Sequence, residues 1–293
     1  MKTIYILNPA AGRGGAMSYK DEENAYITKG GGDAFGFAAK TLEAADEDIN
    51  FAVCGGDGTI NEVVRGIIAS GKKNTCVSLI PTGTGNDLVR TVAQEGGDIC
   101  ADVLSVNDAV AVNAVNIGFD LDVVLRASQY KKKPFLSGSL AYIFGVISTL
   151  FRRYGTHMRI EYVDSGGSRG VFEGECLLAV MGNGRYYGGG FEPSPAASMT
   201  DGLIDLTVVK KVSRLKFISL VGKYKKGLHI DIKNNRPYEQ FKDILIFKKC
   251  KSVSVSGIEN ICCDGEIIGM KRAEIGVIPR AVRLLAGKET LRA

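Results

Sequence analysis

The sequence predicts an α/β region joined to a mostly β region: a three-layer α/β domain with a parallel sheet, then an antiparallel β-sandwich domain. In the first part, short apolar runs alternate with segments of helical period, as in strand–helix–strand units. After about residue 105, short strand-like runs follow one another with turn residues between them, which is typical of a sandwich. We therefore place the α/β domain at residues 1–105 and the sandwich at 106–280. We expect residues 281–293 to return to the first domain.

Three apolar runs predict the buried strands of the first domain: residues 3–8, 49–56 and 76–83. Helical patterns lie between them. The pattern after the second run has apolar residues at a spacing close to the 3.6-residue helical repeat. These are Ile60, Val63, Val64, Ile67 and Ile68. We expect this helix to begin near Thr59.

The second domain is predicted from a series of strand-like runs. They are residues 109–118, 157–164, 172–183, 204–209, 243–249, 252–257, 261–268 and 273–287. A helix pair at 131–153 and 214–226 is expected to interrupt them. The first of these helices holds the longest apolar stretch, 135–151, which is too short and too interrupted to span a bilayer. Its basic flanks leave two interpretations open, a buried or amphipathic helix and a surface that meets anionic lipid headgroups.

Composition limits the class of protein. The net charge of +5 suits weak attraction to phosphates or lipid surfaces and does not require nucleic acid, so we expect no nucleic-acid partner. Seven scattered cysteines with no CxxC pair, and two histidines, argue against a zinc site. The odd cysteine count and the lack of a recognisable signal peptide favour a reducing cytoplasm. A homodimer is among the oligomeric states that stay open.

A glycine-rich turn after the second strand points to an anion. Residues 55–58 read Gly-Gly-Asp-Gly, between an apolar strand and a helix. Helix N-termini attract anions, and glycines allow a phosphate to approach the backbone closely. Because Asp57 alone would repel a phosphate, the pattern favours Mg²⁺ between them. The alternative is a tight turn in which Asp57 caps a helix.

Two further turns strengthen this interpretation. Residues 79–90, LIPTGTGNDLVR, again join an apolar strand to a helix, and residues 8–15, NPAAGRGG, follow the first strand. The carboxyl ends of neighbouring parallel strands form the crevice in which open α/β sheets bind ligands. None of the turns is a Walker loop or a dinucleotide fingerprint. Three such turns on one sheet nevertheless predict a phosphate-binding site.

These motifs resemble those of the diacylglycerol kinase catalytic family, which includes bacterial soluble diacylglycerol kinases, related lipid kinases and sphingosine kinases. The similarity runs through NPAAGRG, GGDGTINEVVRG, PTGTGNDL, SMTDGLI and CCDGEII, and so covers nearly the whole chain. NAD kinases and phosphofructokinases share only the Gly-Gly-Asp-Gly loop. The resemblance implies ATP-dependent phosphorylation of a lipid hydroxyl, most directly diacylglycerol to phosphatidic acid. It also implies a nucleotide-binding first domain and peripheral association with the inner face of the membrane.

The resemblance also implies residue roles. Nucleotide contacts would come from Asn8, Arg13, Thr28, Gly55, Gly56, Asp57, Gly58, Thr59, Asn61, Thr84, Asn86 and Asp87. A structural Mg²⁺ would be held by the Asp201 carboxylate with the carbonyls of Ser198 and Leu203. Glu266 would be the general base, with Asp264 beside it, and Asp102 would belong to the same network. Without the family, Asp201-Gly202 is better interpreted as a hairpin turn, and Asp264-Gly265 is a strong hairpin signal that is compatible with either role of Glu266.

Two other functions remain open. A kinase of a soluble acceptor such as NAD would keep the first loop, and a catalytically impaired nucleotide- or lipid-binding protein would keep the loops without turnover. The chain also departs from the family pattern in two places. The stretch before residue 25 is too short for the usual first helix, and a helix-sized piece is missing before residue 101.

Overall fold

The computed structural model describes residues 1–83, 86–118 and 155–287, and for Arg13 it describes the backbone alone. The predicted helix at 131–153 and the predicted nucleotide contact Thr84 lie outside the described residues. The chain divides into two units. The first comprises Met1–Val103, Met199–Asp201 and the described chain from Ile278 onward, and the second comprises Leu104–Ser198 and Gly202–Val277.

The first unit is built on a parallel sheet. Strand β1 (Lys2–Leu7) pairs with β2 (Ala25–Ile27) on one side and with β3 (Ile49–Gly55) on the other, and β3 pairs with β4 (Thr75–Pro81). The last strand of the chain pairs in parallel with β4 at residues 283–286. Every residue of β3 is buried, as expected for a central parallel strand. The predicted α/β class is confirmed.

The described residues of the first unit form three α-helices: α1 (Asp33–Ala44), α2 (Asp57–Ser70) and α3 (Asp87–Gln94). Helix α2 begins at Asp57, two residues before the predicted start. Gly56 takes the extended N-cap conformation, so the residues after it already lie in the first helical turn. The short stretch before β2 holds a 3-10 helix, Gly12–Tyr19, in place of the α-helix expected from the family.

The second unit consists mainly of antiparallel strands. Strand β5 (Asp98–Val106) passes into it from the first unit. Its further strands are β6 (Ala109–Ala111), β7 (Ala114–Gly118), β8 (Thr156–Asp164), β9 (Arg169–Gly182), β10 (Ile204–Lys210), β11 (Ile230–Asp231), β12 (Arg236–Pro237), β13 (Leu245–Ser256), β14 (Asn260–Cys263), β15 (Glu266–Gly269) and β16 (Arg272–Ala286). Helix α4 spans Arg214–Lys225. The predicted antiparallel class is confirmed.

Two predicted strand runs are divided differently in the structure. The run 109–118 breaks into β6 and β7, because residues 112 and 113 leave the strand conformation. The runs 243–249 and 252–257 form the single strand β13, with an irregularity between Cys250 and Ser252 where it pairs with β8. The two runs therefore belong to one continuing strand, in which Lys248 and Lys251 are exposed.

A fully buried apolar core holds the strands of the second unit together. Met158 on β8, Leu206 on β10 and Val255 on β13 are among its members. Alternating burial along β8 shows that one face of that strand packs on the core and the other faces water. Within the described residues, no helix is long and apolar enough to cross a membrane.

Candidate functional site

A cleft of about 450 Å³ opens in the first unit, beyond the carboxyl ends of β1 and β3. Six predicted nucleotide-binding residues line it: Asn8, Thr28, Gly56, Asp57, Gly58 and Thr59. Gly12 of the predicted loop after β1 and Gly83 of the predicted loop after β4 also line it, and so do Gly30–Gly31 and Glu62. The cleft thus brings the three predicted loops together, in the crevice position typical of open α/β sheets.

The turn between β3 and α2 is tightly closed. A Cβ at Gly55 would lie 2.7 Å from the Cβ and Oγ1 of Thr59, so a larger residue at position 55 would collide with the helix that follows. Asn8 Nδ2 donates a hydrogen bond of 2.8 Å to Thr59 Oγ1, and Asn8 Oδ1 accepts from Ala10 N at 3.0 Å. These contacts tie the loop after β1 to the first turn of α2.

Helix α2 supplies a carboxylate to the N-terminus of each neighbouring helix. Asp57 accepts hydrogen bonds from the backbone N–H groups of Asp87 at 3.0 Å and Leu88 at 3.2 Å, at the start of α3. Glu62 accepts from the N–H groups of Gly32 at 2.9 Å and Ala34 at 3.1 Å, at the start of α1. The N-termini of α1 and α3 are therefore already satisfied by anions.

The N-terminus of α2 differs from those of α1 and α3, because it has no carboxylate partner among the described residues. Its N-cap is Gly56, and no side chain in the described part of the molecule caps it. Residues 56–59 all line the cleft. Since a helix N-terminus carries a partial positive charge and unpaired N–H groups, this end of α2 is suited to bind a phosphate in the cleft.

Asp57 is half-buried, and burial raises the pKa of its carboxyl above the usual value. The hydrogen bonds from Asp87 and Leu88, and then the charge of Arg90, oppose that rise. Asp57 thus caps α3, and not the helix in which it lies, which differs from the tight-turn cap that the sequence offered as an alternative.

The loop after β4 packs directly on the glycine turn. A Cβ at Gly83 would lie 2.5 Å from Gly56 Cα, a distance that real side chains do not adopt. Asn86 is the N-cap of α3 in the left-handed region, with φ of 50°, and its Nδ2 donates to Gly83 O at 3.1 Å. Asp87 is buried, with Arg90 Nη1 at 3.9 Å. Neither Asn86 nor Asp87 lines the cleft.

The loop after β1 contacts the same region through Gly12. This residue has a φ of 51°, and a Cβ there would lie 1.4 Å from Thr82 O. Only glycine fits this position. Arg13, the predicted phosphate contact, follows in the 3-10 helix. Asn61 is buried within α2 and does not line the cleft.

In the second unit, the predicted base lies beside a hairpin turn. Asp264 and Gly265 have φ values of 48° and 93°, as a two-residue type I′ turn requires, and they join β14 to β15. The Asp264 carboxylate accepts hydrogen bonds from three consecutive N–H groups, those of Val112, Asn113 and Ala114. Glu266 opens β15 opposite Cys263, and it is exposed.

The remaining acidic residues lie elsewhere. Asp102 is buried in β5, accepts from Arg280 N at 2.8 Å and donates its own N–H to Met199 O at 2.6 Å. Asp102 therefore anchors the backbone of β16 and of the loop that carries Asp201. Asp201 is exposed, and Gly202 after it has a φ of 71°.

The Asp201 turn fits Mg²⁺ by the nature of its donors. Within the described residues, no three His, Cys, Asp or Glu side chains cluster as a metal site. Mg²⁺ prefers oxygen ligands and commonly takes one or two carboxylates with several waters, and a carboxylate is the kind of donor that Asp201 offers. The structure thus places the predicted ligands Ser198, Asp201 and Leu203 on one short loop between β9 and β10.

Glu62 was not predicted from the sequence. It lies one helical turn beyond Gly58, so it shares a face of α2 with that residue. An acidic residue one turn after a glycine-rich helix start is the signal that could have indicated it. Gly30 and Gly31 were not predicted as site residues either, and they line the cleft.

A glycine-lined cleft with an open helix N-terminus is typical of phosphate-binding α/β proteins. Comparison with known proteins gives the family. The diacylglycerol kinase catalytic domain model matches residues 2–117, and the YegS C-terminal NAD kinase beta sandwich-like domain model matches residues 113–286. The chain belongs to the diacylglycerol kinase catalytic family, which confirms the resemblance seen in the sequence.

Individual relatives extend along most of the chain. A diacylglycerol kinase of Staphylococcus saprophyticus is 30% identical over 262 residues, which is 85% of this chain and 79% of the relative. A diacylglycerol kinase of Staphylococcus carnosus is 29% identical over 283 residues, 92% of this chain and 86% of the relative. The solved structure of a diacylglycerol kinase from Bacillus anthracis superposes with a TM-score of 0.68 at 20% identity, covering 99% of this chain and 98% of that one. This last match shows the fold alone.

Proposed function

We propose that this chain is a lipid kinase that transfers the γ-phosphoryl group of ATP to a lipid hydroxyl, with diacylglycerol as acceptor and phosphatidic acid as product. The observation that carries the proposal is the uncapped N-terminus of α2, which opens on a glycine-lined cleft between loops that match the family. The names of the relatives support diacylglycerol as the acceptor.

The nucleotide binds with its phosphates at the start of α2. The N–H groups of residues 56–58 and the glycines of the loop after β1 allow close approach of the phosphate oxygens, whereas the N–H of Thr59 donates to Gly56 O at 3.0 Å. Asn8 and Thr28, which line the same cleft, supply polar contacts to the rest of the nucleotide. Asp57 and Glu62 hold α3 and α1 in place around it.

Mg²⁺ is assigned to two places. Each oxygen of Asp57 accepts one backbone hydrogen bond and keeps a second acceptor site, so this carboxylate can also contact the Mg²⁺ that ATP carries. A second Mg²⁺ is assigned to the loop of Asp201, with the carbonyls of Ser198 and Leu203. When bound, the metal neutralises phosphate charge and stabilises the loop.

Glu266 is the general base. As the lipid oxygen forms its bond to the γ-phosphorus and the bond between that phosphorus and the β–γ bridging oxygen breaks, the hydroxyl proton moves to a carboxylate oxygen of Glu266. Asp264 is a positioning residue, because its carboxylate is held by three backbone N–H groups and fixes the turn that precedes Glu266.

The test is a phosphorylation assay with γ-labelled ATP, Mg²⁺ and separate acceptors. These are diacylglycerol, monoacylglycerol, sphingosine and NAD. Label in phosphatidic acid is expected, and Glu266→Gln purified in the same way controls for contaminating kinases. Label in NADP, with none in any lipid, would establish a soluble-acceptor kinase. ATP binding without transfer to any acceptor would establish a non-catalytic binding protein.

A further inference from the structure

A surface that is both basic and apolar lies on the second unit, outside the motifs that resemble the family. It is formed by residues 214–238, which include α4, β11 and β12, and we call it the α4 surface. The segment holds seven Lys and Arg residues and one acidic residue, Asp231. Among the described residues, it also holds five of the eight exposed large hydrophobic side chains. These are Leu215, Ile218, Leu228, Ile232 and Tyr238.

Helix α4 has apolar side chains on both sides. Phe217, Leu220, Val221 and Tyr224 line an apolar pocket together with Leu177 of β9, so this side of the helix packs on the sheet. No residue of α4 is fully buried. A surface helix of this kind usually presents polar residues to water on its other side.

The outer side of α4 departs from that rule. Leu215 is 81% exposed and Ile218 is 56% exposed, and the two lie three residues apart on one face. Lys216 and Lys226 are exposed nearby, and no contact with their ammonium groups is found in the described part of the chain. The sheet below provides no burial for this face, so its apolar area must be covered by something else or stay in water.

We propose that the α4 surface docks the protein on an anionic lipid bilayer, with Leu215 and Ile218 entering the headgroup region and the surrounding lysines contacting lipid phosphates. Interfacial helices combine an apolar strip with Lys and Arg in this way. The inference rests on the proposed function, because a bilayer is where a diacylglycerol acceptor resides. It identifies the part of the enzyme that meets the bilayer.

The positive charge and the apolar side chains of the α4 surface together favour an anionic bilayer over a second copy of the chain or a nucleic acid. A second copy docked through the same face would bring two basic segments together, which like-charge repulsion disfavours. A nucleic acid would satisfy the lysines but would leave Leu215 and Ile218 in water. An anionic bilayer satisfies both kinds of side chain. At twelve residues, α4 is about 18 Å long, enough to lie along the interface but not to cross it.

The test is co-sedimentation of the full chain with vesicles of phosphatidylcholine mixed with phosphatidylglycerol. We expect binding to the mixed vesicles, weak binding to pure phosphatidylcholine, and loss of binding as salt is added. The double variant Lys216→Gln/Lys226→Gln should bind on the order of 25-fold more weakly, since each basic residue near the surface contributes about fivefold. Leu215→Gln/Ile218→Gln should lose binding at all salt concentrations. The pair Val171→Gln and Lys251→Gln, exposed residues of the same unit outside the α4 surface, is the matched control.

Phosphorylation of a short-chain diacylglycerol that dissolves as monomers separates docking from chemistry. The α4 variants should keep wild-type turnover on this acceptor while they lose turnover on vesicles. Unchanged vesicle binding by both double variants would overturn the proposal, and so would an equal loss on the monomeric acceptor in a variant that keeps its melting temperature. The wild-type chain could also bind anionic vesicles and phosphorylate no lipid. This result would refute the proposed function and would still support the docking surface. Binding to RNA or to a second copy, but not to vesicles, would assign the surface to another partner.

Discussion

Two Asp-Gly turns, one in each unit, look alike in the sequence and serve different elements. Asp57 in the first unit accepts two backbone N–H groups at the start of α3, and Asp264 in the second unit accepts three from the segment before β7. In both turns the carboxylate is engaged with the backbone of a neighbouring segment. In both motifs, the aspartate therefore accepts backbone hydrogen bonds that hold the turn against a neighbouring segment.

The difference lies in what each turn presents. Asp57 is itself part of the cleft wall, and it leaves the N–H groups of its own helix open to the cleft. Asp264 fixes a hairpin and leaves the next residue but one, Glu266, exposed on a defined strand. One turn prepares a site for an anion, whereas the other holds a carboxylate in place. The experiments below test this division of roles, beginning with the largest effect.

Glu266→Gln should have the largest effect on catalysis. The amide keeps the size and hydrogen bonding of the side chain and removes its basicity, so turnover should fall about 100- to 10,000-fold. ATP affinity, measured by calorimetry, should stay unchanged. Glu259→Gln, an exposed glutamate just before β14, should behave as wild type. If Gln at 266 weakened ATP binding as much as it slowed turnover, Glu266 would be a nucleotide ligand.

Asp264→Ala should have the largest effect on stability. It leaves three backbone N–H groups without their acceptor, and hydrogen bonds to a charged group are worth about 1.5 to 3 kcal/mol each. We expect a loss of about 3 kcal/mol or more in the free energy of unfolding, measured in urea. Asp264→Asn tolerates the positive φ and keeps one oxygen, so it should lose about half as much. Equal stability in all three proteins would show that these contacts are not needed.

Asp57→Ala should greatly lower phosphorylation, although by less than Glu266→Gln, and should lower stability by only about 1 to 2 kcal/mol, the usual cost of a lost helix cap. Glu62→Ala removes the equivalent cap from α1 and is the matched control. It should cost a similar amount of stability and keep measurable turnover, because Glu62 is not assigned to the phosphates. Full activity of the Asp57 variant would remove that residue from the site.

A pair of glycine variants separates packing from binding in the first unit. Gly83→Ala introduces a methyl group 2.5 Å from Gly56 Cα, and such overpacking costs about 1 to 3 kcal/mol. Gly58→Ala meets no atom within 4 Å, so its melting temperature should not fall. Its methyl group enters the cleft, and the KM for ATP should rise several-fold. Unchanged KM in Gly58→Ala would place the phosphates away from α2.

Mg²⁺ alone should have the smallest effect. Binding to the folded form stabilises it by about 0.4 kcal/mol when the ion is present at its Kd, which raises the melting temperature by about one degree. Asp201→Ala should lose this increment in the absence of nucleotide, and Asp243→Ala, at another exposed aspartate of the chain, should keep it. The same increment in Asp201→Ala would place the stabilising metal elsewhere.

The sequence by itself determined the two-part architecture and the family. The buried strands β1, β3 and β4, the helical spacing of α2 and the Asp264-Gly265 hairpin were all predicted from patterns of neighbouring residues. These features depend on periodicity and turn chemistry, which act over a few residues and are therefore visible in the order of the amino acids.

Only the tertiary structure decided the hydrogen-bond partners of the acidic residues. Asp57 contacts residues 30 and 31 positions away, Glu62 contacts the start of α1, and Asp264 contacts a segment about 150 positions earlier. The sequence also does not reveal which face of α4 is exposed, because both sides of this helix are hydrophobic. Which side is buried depends on where the sheet lies, and that is set by the packing of strands distant in the chain.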